Sequence, residues 1–300
     1  MNQRHKKTRN NKLGRRRKLL CFLGLTVIVM IVIIACSSGD DDDIRKYNRV
    51  GNYTEPDENP PTAGVEDIVT TEPSQPVGTA TPTPAPKRYT IVLDPGHGGK
   101  DPGASFDGRV EAKLNLELAL RLKAYLTDKY DNVTVILTRE DDTELVKNDK
   151  GADLRARVET GVTNHADIVV SLHLDASDNH KQNGAMVIIS KQNNITEQSK
   201  LLANCILNQL SNIGLNNRGP FKRDSQDTFD DNGVPVDYYA ICRHGASNNL
   251  ISVIVESCFI DNDYDAQFIN SAEALDRLAE AEGKGIMEFL TKHYTGGSKN

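Results

Sequence analysis

Four side chains in this sequence are of the right types, in the right settings, to hydrolyse a bond with the help of a metal. His97 sits in the glycine-flanked turn Asp94-Pro95-Gly96-His97-Gly98-Gly99, directly after the strand-forming run Ile91-Val92-Leu93. Glu111 opens a strongly helical segment, and His173 ends the run Val169-Val170-Ser171-Leu172. Two imidazoles and one carboxylate form a catalytic zinc ligand set that leaves the fourth position for water. Zinc lowers the pKa of such a water to about 7, so hydroxide becomes available at neutral pH. Glu256 ends the most apolar strand-like run, Ile251-Ser252-Val253-Ile254-Val255. A carboxylate there needs a partner, because burying an unpaired charge is costly. It is either a base that takes a proton from the water and later gives it to a leaving amine, or a structural acid paired with Arg157 or Arg243.

Each residue alone is weak evidence. A strand-end histidine is more often packed than ligating, and a glutamate at a helix start is favourable simply through the helix dipole. The His97–Glu111 pair is more specific, because the glycine-rich turn leads directly into the helix. Among the remaining histidines, His5, His165, His180 and His293 have no comparable setting, and His244 is the least certain of the group. The turn is not a phosphate loop, since Gly96-His97-Gly98-Gly99-Lys100 lacks the Walker spacing and is followed by Asp101. No G-x-S-x-G elbow is present to support a serine nucleophile.

The elements that must position these residues follow from periodicity. Strands are predicted over 89–94, 133–138, 168–174, 184–190 and 251–256. Helices are predicted over 111–129, 152–164, 196–213 and 271–293, the first with Leu114, Leu118, Leu122 and Leu126 on one face. Strands alternate with helices, and the strands are nearly continuous apolar runs. That pattern predicts one catalytic α/β domain over 89–293, a twisted, mostly parallel sheet with helices on both faces, followed by a short tail, 294–300. The end of a strand in such a sheet is where ligands bind.

The flanking composition places this domain. Residues 1–18 carry nine Lys/Arg and no acid, leaving 27 basic against 42 acidic residues, a net of −15, in the rest of the chain. An acidic body argues against nucleic acid as a partner. Leu19 to Ala35 carries no charge and is near the lower limit for spanning a bilayer of about 30 Å. Basic residues before it predict a cytoplasmic N-terminus and an exported body. The segment 19–36 reads as an uncleaved signal anchor or as a lipoprotein signal, since Ile33-Ile34-Ala35-Cys36 resembles a lipobox in which Cys36 is lipidated. Residues 37–88 hold 8 of the 12 prolines and few large apolar residues, the composition of a disordered linker. Beyond the anchor only Cys205, Cys242 and Cys258 remain, so at most one disulfide can form, with a connectivity the sequence does not fix.

Residues 89 to about 292 resemble the bacterial zinc-dependent N-acetylmuramoyl-L-alanine amidases of the amidase-3 group. The resemblance lies in Val92-Leu93-Asp94-Pro95-Gly96-His97-Gly98-Gly99, Glu111 with Leu114-Asn115-Leu116, Leu137-Thr138-Arg139 and Leu154-Arg155-Ala156-Arg157. It continues through Ala166-Asp167-Ile168-Val169-Val170-Ser171-Leu172-His173 and Val255-Glu256-Ser257-Cys258-Phe259-Ile260-Asp261-Asn262. It implies one Zn2+ held by His97, Glu111 and His173, with Glu256 as the catalytic carboxylate. It also implies cleavage of the peptidoglycan amide between the lactyl group of N-acetylmuramic acid and L-alanine, and it puts Arg243 near the substrate. Asp175, Ser177 and Cys258 depart from the common pattern, and Phe221 to Asp237 reads as an enlarged polar loop on the substrate side. Some relatives carry an inhibitory helix after the second histidine, and the dozen residues available here leave no space for one. The expectation is therefore a membrane-tethered, extracytoplasmic zinc amidase whose site is open. The rivals are a zinc-free wall-binding lipoprotein and a zinc peptidase cutting within the stem peptide.

Overall fold

The computed structural model describes residues 87–296, so the expected basic tail, anchor, Cys36 and most of the linker lie outside the described residues. Ten strands and five helices, numbered in chain order, make up this part. Four adjacent strands run parallel: β1 (Tyr89–Pro95), β4 (Val133–Leu137), β5 (Ile168–Asp175) and β10 (Ile251–Phe259). β6 (Ala185–Ile188) pairs antiparallel with β10, and β7 (Asn217–Phe221) pairs parallel with β6, giving the order β4-β1-β5-β10-β6-β7. Two small hairpins stand apart from this sheet: β2 (Ser105–Phe106) with β3 (Arg109–Val110), and β8 (Asp224–Phe229) with β9 (Pro235–Asp237).

The apolar strands read as continuous runs because both faces are covered. Ile91, Leu93, Val170, Leu172, Val253 and Val255 face α1 (Glu111–Lys129), α3 (Thr196–Asn212) and α5 (Ala272–Lys292). Val92, Val169 and Ile254 face the smaller pair α2 (Lys150–Thr163) and α4 (Ala240–Ser247), through Val158, Ile241 and Cys242. On α1 the leucine stripe buries Leu118, Leu122 and Leu126 fully and Leu114 in part. α5 crosses α3 so closely that a Cβ on Gly285 would lie 2.5 Å from the Ile206 Cα. Glycine there lets two backbones approach.

The predicted elements exist with small shifts in their ends. α2 begins at Lys150 because Asp149 caps it, accepting a hydrogen bond from the Ala152 amide at 2.9 Å. β10 continues past Glu256 to Phe259 through an irregularity in its pairing with β5. The predicted polar loop Phe221 to Asp237 contains the β8–β9 hairpin, and α4 was not anticipated. β8 is exposed along most of its length and leaves no apolar period to read, and α4 is only eight residues long, so its buried Ile241, Cys242, Gly245 and Ala246 span barely two turns. Cys205, Cys242 and Cys258 are all buried free thiols. Among the described residues no helix is long and apolar enough to cross a membrane.

Candidate active site

The three expected ligands meet at the carboxyl ends of β1 and β5. His97 Nε2 lies 3.1 Å from Glu111 Oε1, and His173 Nδ1 lies 3.0 Å from the same oxygen. The ligating atoms of the three residues all fall within 4.8 Å of one another. Glu111 is held by more than the imidazoles. Its Oε2 accepts from the Ala104 amide at 2.8 Å, and its Oε1 from the Leu174 amide at 3.2 Å and Asn115 Nδ2 at 3.3 Å. Burial opposes its ionisation, but hydrogen bonds and charge from His173 and His97 prevail and hold the carboxyl far below its ordinary range. His97 is oriented from its other side, with Nδ1 3.0 Å from Asp101 Oδ1. A carboxylate on the second ring nitrogen fixes the tautomer and leaves Nε2 free to ligate.

The turn that carries His97 is clamped by two buried arginines. Arg139 donates to the carbonyls of Pro95, Gly96 and Ala112, each at 2.9 Å, so it ties the turn to the first turn of α1. Arg157 donates to the carbonyls of Pro95 at 3.0 Å and His97 at 2.9 Å, and pairs with Asp94 at 3.0 Å and Asp153 at 2.7 Å. Asp94 also accepts from Thr138 and Ser171, each at 2.6 Å. Burial raises the Asp94 carboxyl, but the Arg157 charge and these two hydrogen bonds outweigh it and leave the group below its usual value. This network holds His97 in the left-handed region, at φ 61°, which non-glycine residues rarely adopt. Asp94, Asp101, Asn115, Arg139 and Arg157 therefore all serve the site. Their sequence signal was adjacency to the histidine turn or to Glu111, and for the arginines it was only membership in motifs of the resemblance.

Glu256 stands beside His173, its register partner across β10 and β5. The structural alternative fails, because Arg157 is committed to Asp94 and Asp153, while Arg243 donates to the carbonyls of Asp237 and Tyr238. Among the described residues no side chain forms an ion pair with Glu256. Burial pushes its carboxyl well above the usual range, and the negative charges of Glu111 and Asp175 push in the same direction. A cleft of about 850 Å3 opens over these groups, and its lining includes His97, His173, Glu256, Tyr238, Tyr239 and Arg243. Arg243 is among the residues that line the cleft. His244 neighbours it on α4, outside the lining. The segment 176–184 after His173 forms turns and no helix.

A buried acid without a salt partner beside a histidine–glutamate–histidine cluster can hydrolyse an amide, and known proteins bear on which amide. Residues 91–288 match the Amidase_3 family, described as N-acetylmuramoyl-L-alanine amidase. The chain is 29% identical over 213 residues to an endolysin of Bacillus phage SPP1, covering 69% of each. The solved N-acetylmuramoyl-L-alanine amidase of Clostridium difficile 630 is 26% identical with a TM-score of 0.56, the match covering 69% of this chain and all of that one. Cwp6 from Clostridium difficile is 30% identical with a TM-score of 0.58, over 68% of this chain and 29% of the longer Cwp6. The protein belongs to the N-acetylmuramoyl-L-alanine amidases, the hydrolases that cut the amide between N-acetylmuramic acid and L-alanine in peptidoglycan.

Proposed function

We propose that this amidase works with one Zn2+ held by His97, Glu111 and His173, and that Glu256 is its general base and acid. The carrying observation is the convergence of three ligating atoms within 4.8 Å of one another, with Glu256 next to His173 across the sheet. The donor set fits zinc: two imidazoles and a carboxylate with no thiolate is the composition of an open, catalytic site. The hydrogen bond between Asp101 and His97 Nδ1 supports the same reading. Bound Zn2+ would polarise the scissile carbonyl, lower the pKa of a water to about 7 and draw the Glu256 carboxyl toward ionisation.

The chain's own residues supply the rest. A Glu256 carboxylate oxygen accepts the proton as water attacks the lactyl carbonyl, then delivers it to the alanine nitrogen as the C–N bond breaks. Its buried setting favours the protonated form, which is the form the second step needs. Asp101 and the Arg139–Arg157 clamp keep His97 and Glu111 in place through both steps. Arg243, on the wall of the cleft, contacts the substrate. The charge-free stretch from Leu19 to Ala35 tethers the protein outside the membrane, as an uncleaved anchor or through a lipidated Cys36, and the linker lets the domain reach the wall.

The test is the purified full-length protein on purified peptidoglycan. Free stem peptides with L-alanine at the new amino terminus are expected. Chelation should abolish their release, and Glu256→Ala should cost orders of magnitude in rate while the metal stays bound. Products cut within the stem peptide would replace this reading with the peptidase, and metal-free, inactive protein would replace it with a wall-binding role.

A further inference from the structure

Beside Tyr238, which lines the cleft, stands a cation that the proposed chemistry does not use: Arg223, exposed and itself outside the residues that line the cleft. Arg223 stands at the foot of the β8–β9 hairpin, its carbonyl accepting from the Tyr238 amide at 2.9 Å. Its guanidinium lies 3.8 Å from the centre of the Tyr238 ring. Tyr238 and Tyr239 line the cleft together with His97, His173 and Glu256.

Among the described residues Arg223 makes no ion pair, and neither does Arg243, which does line the cleft. The nearest acids in sequence are already engaged. Asp224 pairs with Lys191, while Asp237 accepts from the Ser190 hydroxyl at 2.6 Å and the Lys191 amide at 2.9 Å. Two guanidiniums here have no carboxylate partner among the described residues, and one of them lies over an aromatic ring. A stacked guanidinium is preorganised and keeps its in-plane N–H groups for a planar anion.

We infer that Arg223, seated on Tyr238 and backed by Arg243, receives a free carboxylate of the substrate's stem peptide and makes the enzyme selective for peptides that carry one. The inference rests on the amidase reading and deepens it. The chemistry of the substrate assigns the charge: in the intact bond the lactyl carboxyl is consumed in the scissile amide, so the carboxylates that remain belong to the peptide. A carboxylate-binding pair of arginines therefore reads the peptide and not the glycan. Arg223 touches neither the metal ligands nor Glu256, so its effect is on substrate choice.

Full-length protein is assayed with two muropeptides that differ only in having the peptide carboxylates free or converted to carboxamides. The free acid is expected to have a kcat/KM higher by roughly tenfold or more, the scale of a charge-assisted hydrogen bond. R223Q should bring the ratio toward one by lowering kcat/KM on the free acid, and R223K should restore only part of it, because lysine lacks the planar fork. Zinc content is measured alongside, and an intact metal with a changed ratio is a result that a merely structural role would not give. Equal cleavage of both substrates by the parent protein, or an undiminished ratio in R223Q, overturns the inference and leaves the amidase reading standing. Failure of the zinc-loaded parent to cut either substrate overturns the amidase reading itself.

Discussion

Gly96 and His173 touch so closely that a methyl group on Gly96 would lie 2.2 Å from His173 Nε2 and 2.3 Å from Cε1. The imidazole is seated on the backbone of the turn that carries the other histidine, so one turn positions both. Gly96→Ala should push the ring off Glu111 Oε1, which it now meets at 3.0 Å. Overpacking of this kind costs about 1–3 kcal/mol, which a domain of this size survives. The expected variant is folded by circular dichroism but binds less than one zinc per chain and has lost most of its activity. Stoichiometric zinc with the parent's rate would show that the ring does not need this seat.

Asp101 gives a graded version of the same experiment. It reaches His97 Nδ1 at 3.0 Å and is itself held by Lys150 at 3.2 Å. Removing such an outer carboxylate typically lowers metal affinity 10–100-fold. Asp101→Ala should fall in that range in competition with a chromophoric chelator. Asp101→Asn should lose less, since its amide oxygen still accepts from Nδ1. Affinity for Asp101→Ala within twofold of the parent would mean that the backbone alone orients His97.

The four candidate site residues could be picked out in the sequence because each stands at a boundary that local chemistry marks: His97 between glycines after an apolar run, Glu111 at a helix start, His173 and Glu256 at the ends of buried strands. What brings them together was not legible. Nothing local to Arg139 says that it binds three carbonyls on two other elements, or to Arg157 that it chooses Asp94 and Asp153 over Glu256. Such choices are made across the sheet, between residues distant in sequence. The hairpin Asp224–Asp237 was unreadable for a different reason. Its residues are largely exposed, so no buried face imposes a period of two.

The Asp94–Arg157 pair carries a stability prediction. Both side chains are almost completely buried, at 1% and 4% exposure, so removing one strands the other's charge in the interior. Breaking a buried pair in this way costs about 3–5 kcal/mol. Asp94→Ala should lower the urea midpoint accordingly at pH 7, and it also frees Ser171 and Thr138 of their acceptor. Replacing Asp94 and Arg157 together with apolar residues should recover part of the loss, while the site, deprived of its clamp on the His97 carbonyl, stays impaired. A single variant as stable as the parent would show that Asp153 alone satisfies Arg157.

Glu282 makes the opposite electrostatic case, because it is a buried acid with no cation. It sits on α5 against β10, fully buried, with the Ser257 hydroxyl donating to Oε1, and Oε2 has no hydrogen-bond partner among the described residues. Burial pushes its carboxyl from 4.5 up to about 7, and the Ser257 bond offsets only part of that. Between these two values the folded protein keeps the proton while the unfolded chain has released it. The folded state binds more protons, so stability falls as pH rises through this window, by on the order of 3 kcal/mol in all. Below the window both states are protonated and the stability is intact; above it both are ionised and the loss is constant. Glu282→Gln removes the titration and keeps the shape. Urea unfolding at pH 5 and pH 8 should show a smaller difference for the variant than for the parent, with the variant the more stable of the two at pH 8. A parent-like pH slope in Glu282→Gln would mean that this side chain is ionised in the folded protein and that another group carries the dependence.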